Sequence, residues 1–278
     1  MISIVIPTYN NLKYLELCLK SLKNNSSYKH EIIIHINEGS DGTLEFIKNQ
    51  GYKYTISESN IGLCSAINQA AKLVSNKYIL YSHDDMYFCP DWDKVLMKEV
   101  QIIKHDKFYF SGTMIEAYSG HIRFNFGETL EDFKEYELLS KYKFINFYDH
   151  QGTHFAPHLV STKLWNKVGG FSEEFNPGIG SDPDFNMKLW KEGVRIFKGL
   201  NDFKVYHFGS LTTRKKKNFK QNRGDRTFLK KWGITIKFFK KHYLKSKTKY
   251  YGPLSEPKLT FTYLIELIGC KLKSILTI

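Results

Sequence analysis

The chain has 278 residues, enough to bury one large core or two smaller ones, and 41 Lys and Arg against 28 Asp and Glu leave it at +13. The charge is uneven: residues 1–213 carry 23 basic and 25 acidic side chains, whereas residues 214–278 carry 18 and 3, so a near-neutral body precedes a basic tail. Four cysteines, with neither metal-ligand spacing nor high density, exclude a disulfide scaffold and fit a reducing compartment, and no stretch reaches the ~20 apolar residues of a membrane span.

Met1-Ile2-Ser3-Ile4-Val5-Ile6-Pro7 lacks the charged start and long apolar run of a signal peptide and reads as a first strand. Apolar strand candidates at 2–6, 31–36, 52–56 and 77–81 alternate with helix-period segments at 12–23, 43–49 and 64–75. Leu12, Leu15, Leu19 and Leu22 form one stripe of the first helix. This alternation predicts an α/β fold, a doubly wound, mainly parallel sheet with helices on both faces. Farther on, strands are expected at 108–118 and 122–126 around a Ser119-Gly120 turn, then helices at 129–139, 162–168 and 183–192 and a helical tail. Trp165 and Trp190 have helical neighbours and read as core. His150, His154 and His158 recur every four residues, but Gly152 and Pro157 oppose a helical metal face there, leaving His154 or His158 at most an acceptor-pocket role.

The residues able to do chemistry fall where the predicted strands end. After Tyr78-Ile79-Leu80-Tyr81 come Ser82-His83-Asp84-Asp85, two adjacent carboxylates at the edge where open α/β sheets bind ligands; hard oxygens there suit Mg²⁺ or Mn²⁺ carrying phosphates. The competing account is an acidic turn capping a helix near Pro90. Pro7-Thr8-Tyr9-Asn10 ends the first strand with a set suited to a nucleobase or ribose, although Asn10 or Asn11 serves equally well as an N-cap. Asn37-Glu38-Gly39-Ser40-Asp41-Gly42-Thr43 ends the second, and Ser59-Asn60-Ile61-Gly62-Leu63-Cys64 leads into a helix with small residues Ser65, Ala66, Ala70 and Ala71.

These four segments, in this order and spacing, resemble the nucleotide-binding half of the family 2 glycosyltransferases, which have the GT-A fold. Downstream, Gly169-Gly170-Phe171-Ser172-Glu173-Glu174-Phe175 resembles the family's acceptor-side loop, Asp182-Pro183-Asp184-Phe185 its acidic helix start, and Val205-Tyr206-His207-Phe208-Gly209-Ser210 its late histidine motif. The resemblance covers residues 1–213. It divides them into a nucleotide-binding half, 1–107, and an acceptor-binding half, 108–213, followed by a basic amphipathic region, 214–278.

The resemblance implies roles residue by residue. Pro7, Thr8, Tyr9, Asn10, Glu38, Asn60 and Gly62 would border the nucleotide, and Asp84 would lie against its ribose or diphosphate. Asp85 would bind a divalent metal, Mn²⁺ or Mg²⁺, with His207 completing the metal or diphosphate site. Asp182 would be the general base, with Asp184 the second choice, and the stereochemical outcome would be inversion. Two departures stand out: Asn37-Glu38 replaces the usual pair of aspartates, and Ser181-Asp182 replaces Glu-Asp. Asp182 before Pro183 also fits an N-cap with proline at the first helical position.

The implied activity is transfer of a sugar from a nucleotide-diphosphate donor, expected to be a UDP-sugar, to a hydroxyl of a surface-glycan or lipid-linked saccharide. Two rivals are a nucleotidyltransferase and a catalytically degenerate carbohydrate-binding or scaffold protein. The tail, with Arg214-Lys215-Lys216-Lys217 and later lysines interleaved with Phe219, Phe228, Trp232, Phe238 and Phe239, suits an anionic membrane surface, and no nucleic-acid module accompanies it. Arg214 to Lys217 could also close over a diphosphate. The expected location is cytoplasmic, peripheral to the inner face of the membrane.

Overall fold

The computed structural model describes residues 1–209 and 223–276. The first stretch runs β1 (Ile2–Tyr9), α1 (Leu12–Asn25), β2 (Glu31–Asn37), α2 (Thr43–Gln50), β3 (Lys53–Ser57), α3 (Leu63–Ala71), β4 (Tyr78–Tyr81), β5 (Met86–Phe88) and α4 (Trp92–Ile102). The second runs β6 (Phe108–Glu116), β7 (Ile122–Arg123), α5 (Glu135–Lys141), β8 (His150–Gln151), β9 (His158–Ser161), α6 (Thr162–Val168), α7 (Ser181–Lys191) and β10 (Ile196–His207). After the gap come α8 (Gly224–Trp232), a helical turn at Ile236–Phe238 running on into Phe239–Tyr243, and α9 (Phe261–Leu276).

The strands form one mixed sheet in the order β3-β2-β1-β4-β9-β6-β10-β5, with β7 beside β6 and β8 beside β10. Parallel pairs join β1 to β2 and β4, β2 to β3, and β6 to β10; β9 runs antiparallel between β4 and β6. Central β6 is buried along all nine residues, as a strand covered on both faces must be. Pro7 is tolerated inside β1 because the β1–β4 ladder ends at Val5 and Tyr81. The Val5 carbonyl accepts from Ser82, so Pro7, two residues on, turns its amide-less nitrogen to the side where β4 has already ended.

Three expectations need correction. The helix expected at 129–139 begins only at Glu135, because the Asp132 carboxylate accepts from the Glu128 and Thr129 amides at 3.0 and 2.7 Å and holds a turn there. The strand at 122–126 shrinks to Ile122–Arg123. Trp165 and Trp190 are core, but so are Phe228, Phe238 and Phe239 of the tail, which join the same cluster as Ile4, Val5 and Ile33 and are therefore not a membrane-facing aromatic surface. All four cysteines are free and buried. No helix among the described residues is long and apolar enough to cross a membrane.

Candidate functional site

Sheet topology brings together residues far apart in sequence. The Ser82–Asp85 turn joins β4 to β5, and β5 pairs antiparallel with β10, so that Met86 lies opposite His207 and the Asp85 carbonyl accepts from the Phe208 amide at 3.2 Å. In the parallel β6–β10 ladder Tyr206 lies beside Ile115, which sets Glu116 alongside His207. The result is a chain of side chains: Glu116 Oε1 to His207 Nδ1 at 2.5 Å, His207 Nε2 to Asp85 Oδ1 at 3.2 Å, and His83 Nδ1 to Asp85 Oδ1 at 3.9 Å. Cys18 Sγ and Ser82 Oγ, at 3.7 and 3.1 Å from the His83 carbonyl, pin the turn. Asp84 and Asp85 do not cap a helix: α4 starts after β5, and Asp91 is its N-cap residue.

Asp85 Oδ1 and His207 Nε2 are buried, face each other, and make no aligned hydrogen bond. Two ligands of one cation present themselves this way. The electrostatics agree: burial opposes charge on His207, but Asp85 and Glu116 on either side raise it to about 10, so a positive charge belongs between the two carboxylates. Burial likewise opposes ionisation of Asp85, yet His207 and then His83 hold its carboxyl down at about 2. Asp84 goes the other way. Burial and the adjacent Asp85 charge raise it, against the hydrogen bond from Thr8. His83, Asp85 and His207 each offer one ligand atom within 4.8 Å of the others, a nitrogen and carboxylate set that fits a divalent ion.

The proposed nucleotide-side residues border this edge from β1, β2 and the loop before α3. Thr8 Oγ1 donates to Asp84 Oδ2 at 2.7 Å, tying β1 to the acidic turn. Asn10, at φ 46, accepts from the Ser40 amide at 3.0 Å and joins the ends of β1 and β2. Asn11, not Asn10, is the N-cap residue of α1, and its side chain makes no capping bond. Glu38 is exposed in the left-handed region at φ 70. Asn37, by contrast, is buried and its Oδ1 accepts from the Ile61 amide at 3.0 Å, so the replacement of the usual aspartate organises the loop carrying Asn60. Asn60 Oδ1 accepts from the Gly62 amide at 2.9 Å. Gly62 has φ +84, and a Cβ there would lie 2.5 Å from Asn176 Oδ1, which itself accepts from the Cys64 amide at the start of α3.

Asp182 and Asp184 diverge because they are two residues apart on a helix. Ser181 opens α7 with Gly180 as N-cap residue, so Asp182 lies two positions past the cap and does not cap the helix. Asp182 Oδ1 is buried without a partner, and burial pushes the carboxyl up to about 7. Its charge is felt by Tyr81 and Tyr109, and Tyr81 also feels Asp85, so Tyr81 is within electrostatic reach of both acids. Asp184 points elsewhere: its Oδ1 accepts from Trp232 Nε1 at 2.8 Å and pairs with Lys231 at 3.0 Å, both from α8.

His150 lies on β8, His158 on β9 and His154 between them, all buried and on no common helix. Glu116 escaped sequence reasoning, although a lone carboxylate ending an apolar strand at the same sheet edge was its available signal. Ser210 of the histidine motif and the basic run Arg214 to Lys217 lie outside the described residues.

A sequence model described as "Glycosyl transferase family 2" matches residues 3–159. A hyaluronan synthase of Pasteurella multocida is 26% identical over 250 residues, covering 85% of this chain and 22% of that protein. A chondroitin synthase of Pasteurella multocida strain Pm70 is 26% identical over 237 residues, covering 79% and 22%. The chain thus spans about a fifth of the length of these relatives. The crystal structure of S. aureus TarS 1-349 in complex with UDP-GlcNAc superimposes with a TM-score of 0.57 at 15% identity, covering 99% of this chain and 81% of that one. A structure of GalNAc-T7 with UDP, GalNAc and Mn2+ gives 0.57 at 16% identity, covering 74% and 43%. These likenesses establish the GT-A fold.

Proposed function

Because the chain belongs to glycosyl transferase family 2, we propose that this glycosyltransferase is metal-dependent and inverting, moving a sugar from a UDP-sugar to a hydroxyl of a surface glycan or lipid-linked saccharide. The observation that carries the reading is the buried, unaligned Asp85–His207 pair at the carboxyl ends of the strands. The UDP in structures of similar fold supports the choice of base, and the polysaccharide synthases among the relatives support the acceptor class.

A divalent ion held by Asp85 and His207 would neutralise the leaving nucleoside diphosphate. The chain's own residues supply the rest. Thr8, Tyr9, Asn10, Glu38, Asn60 and Gly62, with Pro7 setting the turn, border the base and ribose, and Asp84, anchored by Thr8, faces the ribose or diphosphate. Asp182 takes the acceptor hydroxyl's proton as the oxygen attacks the anomeric carbon and the bond to the diphosphate breaks on the opposite face. A carboxyl poised near neutrality is suited to that task. Asp184 is the weaker candidate, since Trp232 and Lys231 already engage it.

The basic region adds a membrane role. In α9, Tyr263 and Cys270 face the body, while Phe261, Leu264, Ile265, Ile268, Leu272 and Ile275 are 44–80% exposed on the other side. With residues 214–278 at +15, an anionic lipid surface complements this face, whereas a second copy would bring two like charges together.

Titration calorimetry with UDP, GDP and CDP, each with Mn²⁺ and again with EDTA, tests the central reading. Metal-dependent selection of UDP is expected. Absence of binding to all three, with or without metal, would sink it.

A further inference from the structure

We propose that His83 Nδ1 is a third protein ligand of the cation held by Asp85 and His207, and that the resulting two-imidazole, one-carboxylate set selects Mn²⁺ and similar transition ions over Mg²⁺. The inference rests on the metal reading of Asp85 and His207 above and goes beyond it by adding a ligand and a preference among metals.

Three observations carry it. The first is convergence: the ligand atoms of His83, Asp85 and His207 lie within 4.8 Å of one another, with Asp85 Oδ1 at 3.2 Å from His207 Nε2 and 3.9 Å from His83 Nδ1. Around an octahedral ion with bonds of about 2.1 Å, neighbouring ligands sit about 3 Å apart, so small side-chain rotations bring all three into one shell. At 3.9 Å the His83–Asp85 contact is too long for a hydrogen bond, which leaves Nδ1 without a protein partner on that side.

The second is outer-shell support. Each imidazole has one nitrogen held from outside and the other turned inward. His207 Nδ1 meets Glu116 at 2.5 Å, and His83 Nε2 meets Tyr81 Oη at 2.7 Å. Tyr81 is fully buried with its hydroxyl against Nε2, and the tautomer in which Nε2–H donates to that hydroxyl is the one the proposal assigns. That hydrogen bond places the lone pair on Nδ1. Metal-binding histidines are oriented in this way.

The third is donor chemistry. Carboxylate and water suit Mg²⁺, which dehydrates reluctantly, whereas imidazole nitrogen suits later first-row ions. With one carboxylate and two imidazoles, three positions of an octahedral shell remain for diphosphate oxygens and water. A site with Asp85 and His207 alone would discriminate less between the two metals.

The test uses the full chain, with and without UDP. Mn²⁺ and Mg²⁺ affinities are measured by calorimetry for wild type, His83→Gln, His83→Ala and Asp85→Ala, and nitrogen couplings to bound Mn²⁺ are counted by pulsed EPR. Thermal melts check that each variant folds. Wild type should show two nitrogen couplings and the His83 variants one. Mn²⁺ affinity should drop at least ~10-fold in the His83 variants while Mg²⁺ affinity changes by less than about threefold. Tyr81→Phe should keep both couplings with weaker Mn²⁺ binding.

If wild type binds Mn²⁺ but the His83 variants keep its affinity and its coupling count, the third ligand is refuted and the Asp85–His207 reading survives. An unchanged Mn²⁺/Mg²⁺ ratio in those variants refutes the selectivity. Failure of wild type to bind Mn²⁺, alone or with UDP, or undiminished binding by Asp85→Ala, overturns the underlying metal reading instead.

Discussion

Two regions of the site bury carboxylates in opposite ways. At the ends of β4, β6 and β10, Asp85, His207 and Glu116 answer one another, and the first and last are held ionised by an imidazolium between them. At the start of α7, half-buried Asp182 keeps one oxygen buried and unpartnered, and its carboxyl is raised to about 7. The difference teaches what each region is built to hold. The first holds positive charge, which a metal ion can take over from the proton. The second holds a carboxylate that gains by taking up a proton, which suits the base proposed for Asp182.

The largest effect should come from breaking the first region at its centre. Asp85→Asn keeps the volume but removes the charge, and activity should fall by about a thousandfold, the equivalent of several kcal/mol of charge stabilisation. Donor hydrolysis in the presence of Mn²⁺ gives the readout, alongside loss of metal-dependent UDP binding. Hydrolysis persisting at the wild-type rate would end the assignment of Asp85 to the metal.

The second region should respond differently in activity and stability. Asp182→Asn is expected to lower kcat by about 10²- to 10⁴-fold. Its stability should rise, because a carboxyl whose folded pKa lies near 7, above the ordinary 3.8, makes the native state bind more protons than the unfolded chain. That state loses stability as pH climbs from about 4 to about 7, and asparagine escapes the penalty. Melts at pH 8 should therefore favour the variant by up to about 4 kcal/mol and show little difference at pH 4. The wild-type rate should climb through about pH 7 and then level off, since the base acts ionised. Asp184→Asn should do the reverse, lowering the melting temperature by loss of the charge that pairs with Lys231 and strengthens the bond from Trp232, while activity per folded molecule stays within about fivefold. If the two variants exchange these behaviours, Asp184 is the base.

This contrast also marks where sequence reasoning ended. Over the first hundred residues, period and strand ends locate β1 to β4 and α1 to α3 within a few positions, because each element's burial pattern is local. Asp84 and Asp85 were visible for the same reason. The preference for Asp182 over Asp184 rests in the sequence on motif placement alone, because the partner that engages Asp184, Trp232, is 48 residues away. Glu116 was hidden similarly, 91 residues from His207 and joined to it only by the parallel β6–β10 register. The long strand β10 also went largely unread: Lys198, Asn201, Asp202 and Lys204 interrupt its apolar pattern.

Glu116→Gln sharpens the first region from its outer side. Glutamine keeps a hydrogen bond to His207 Nδ1 but gives up the charge, so metal affinity should fall by 10- to 100-fold, the usual effect of an outer-shell partner. Mn²⁺ titration reads this directly, and high Mn²⁺ should restore much of the activity. Unrestored activity with normal metal affinity would give Glu116 a different role.

The smallest effect on chemistry should come from α9, which lies outside both regions. Its outer face exposes Ile268 by 57% and Leu272 by 56%, so Ile268→Asp with Leu272→Asp touches no core contact. Burying one such side chain in a lipid interface contributes about 1.5 kcal/mol, so the pair should lower vesicle binding by at least ~100-fold. Hydrolysis of a soluble donor should stay near wild type. Binding should also require anionic lipid and weaken in salt, because the lysines of the tail contribute about 1 kcal/mol each only within a Debye length of the surface. Equal binding to neutral vesicles would make the contact purely apolar. A concentration-dependent dimer in wild type, lost in the double variant, would assign the same face to a second copy and remove the membrane from the acceptor's side of the reaction.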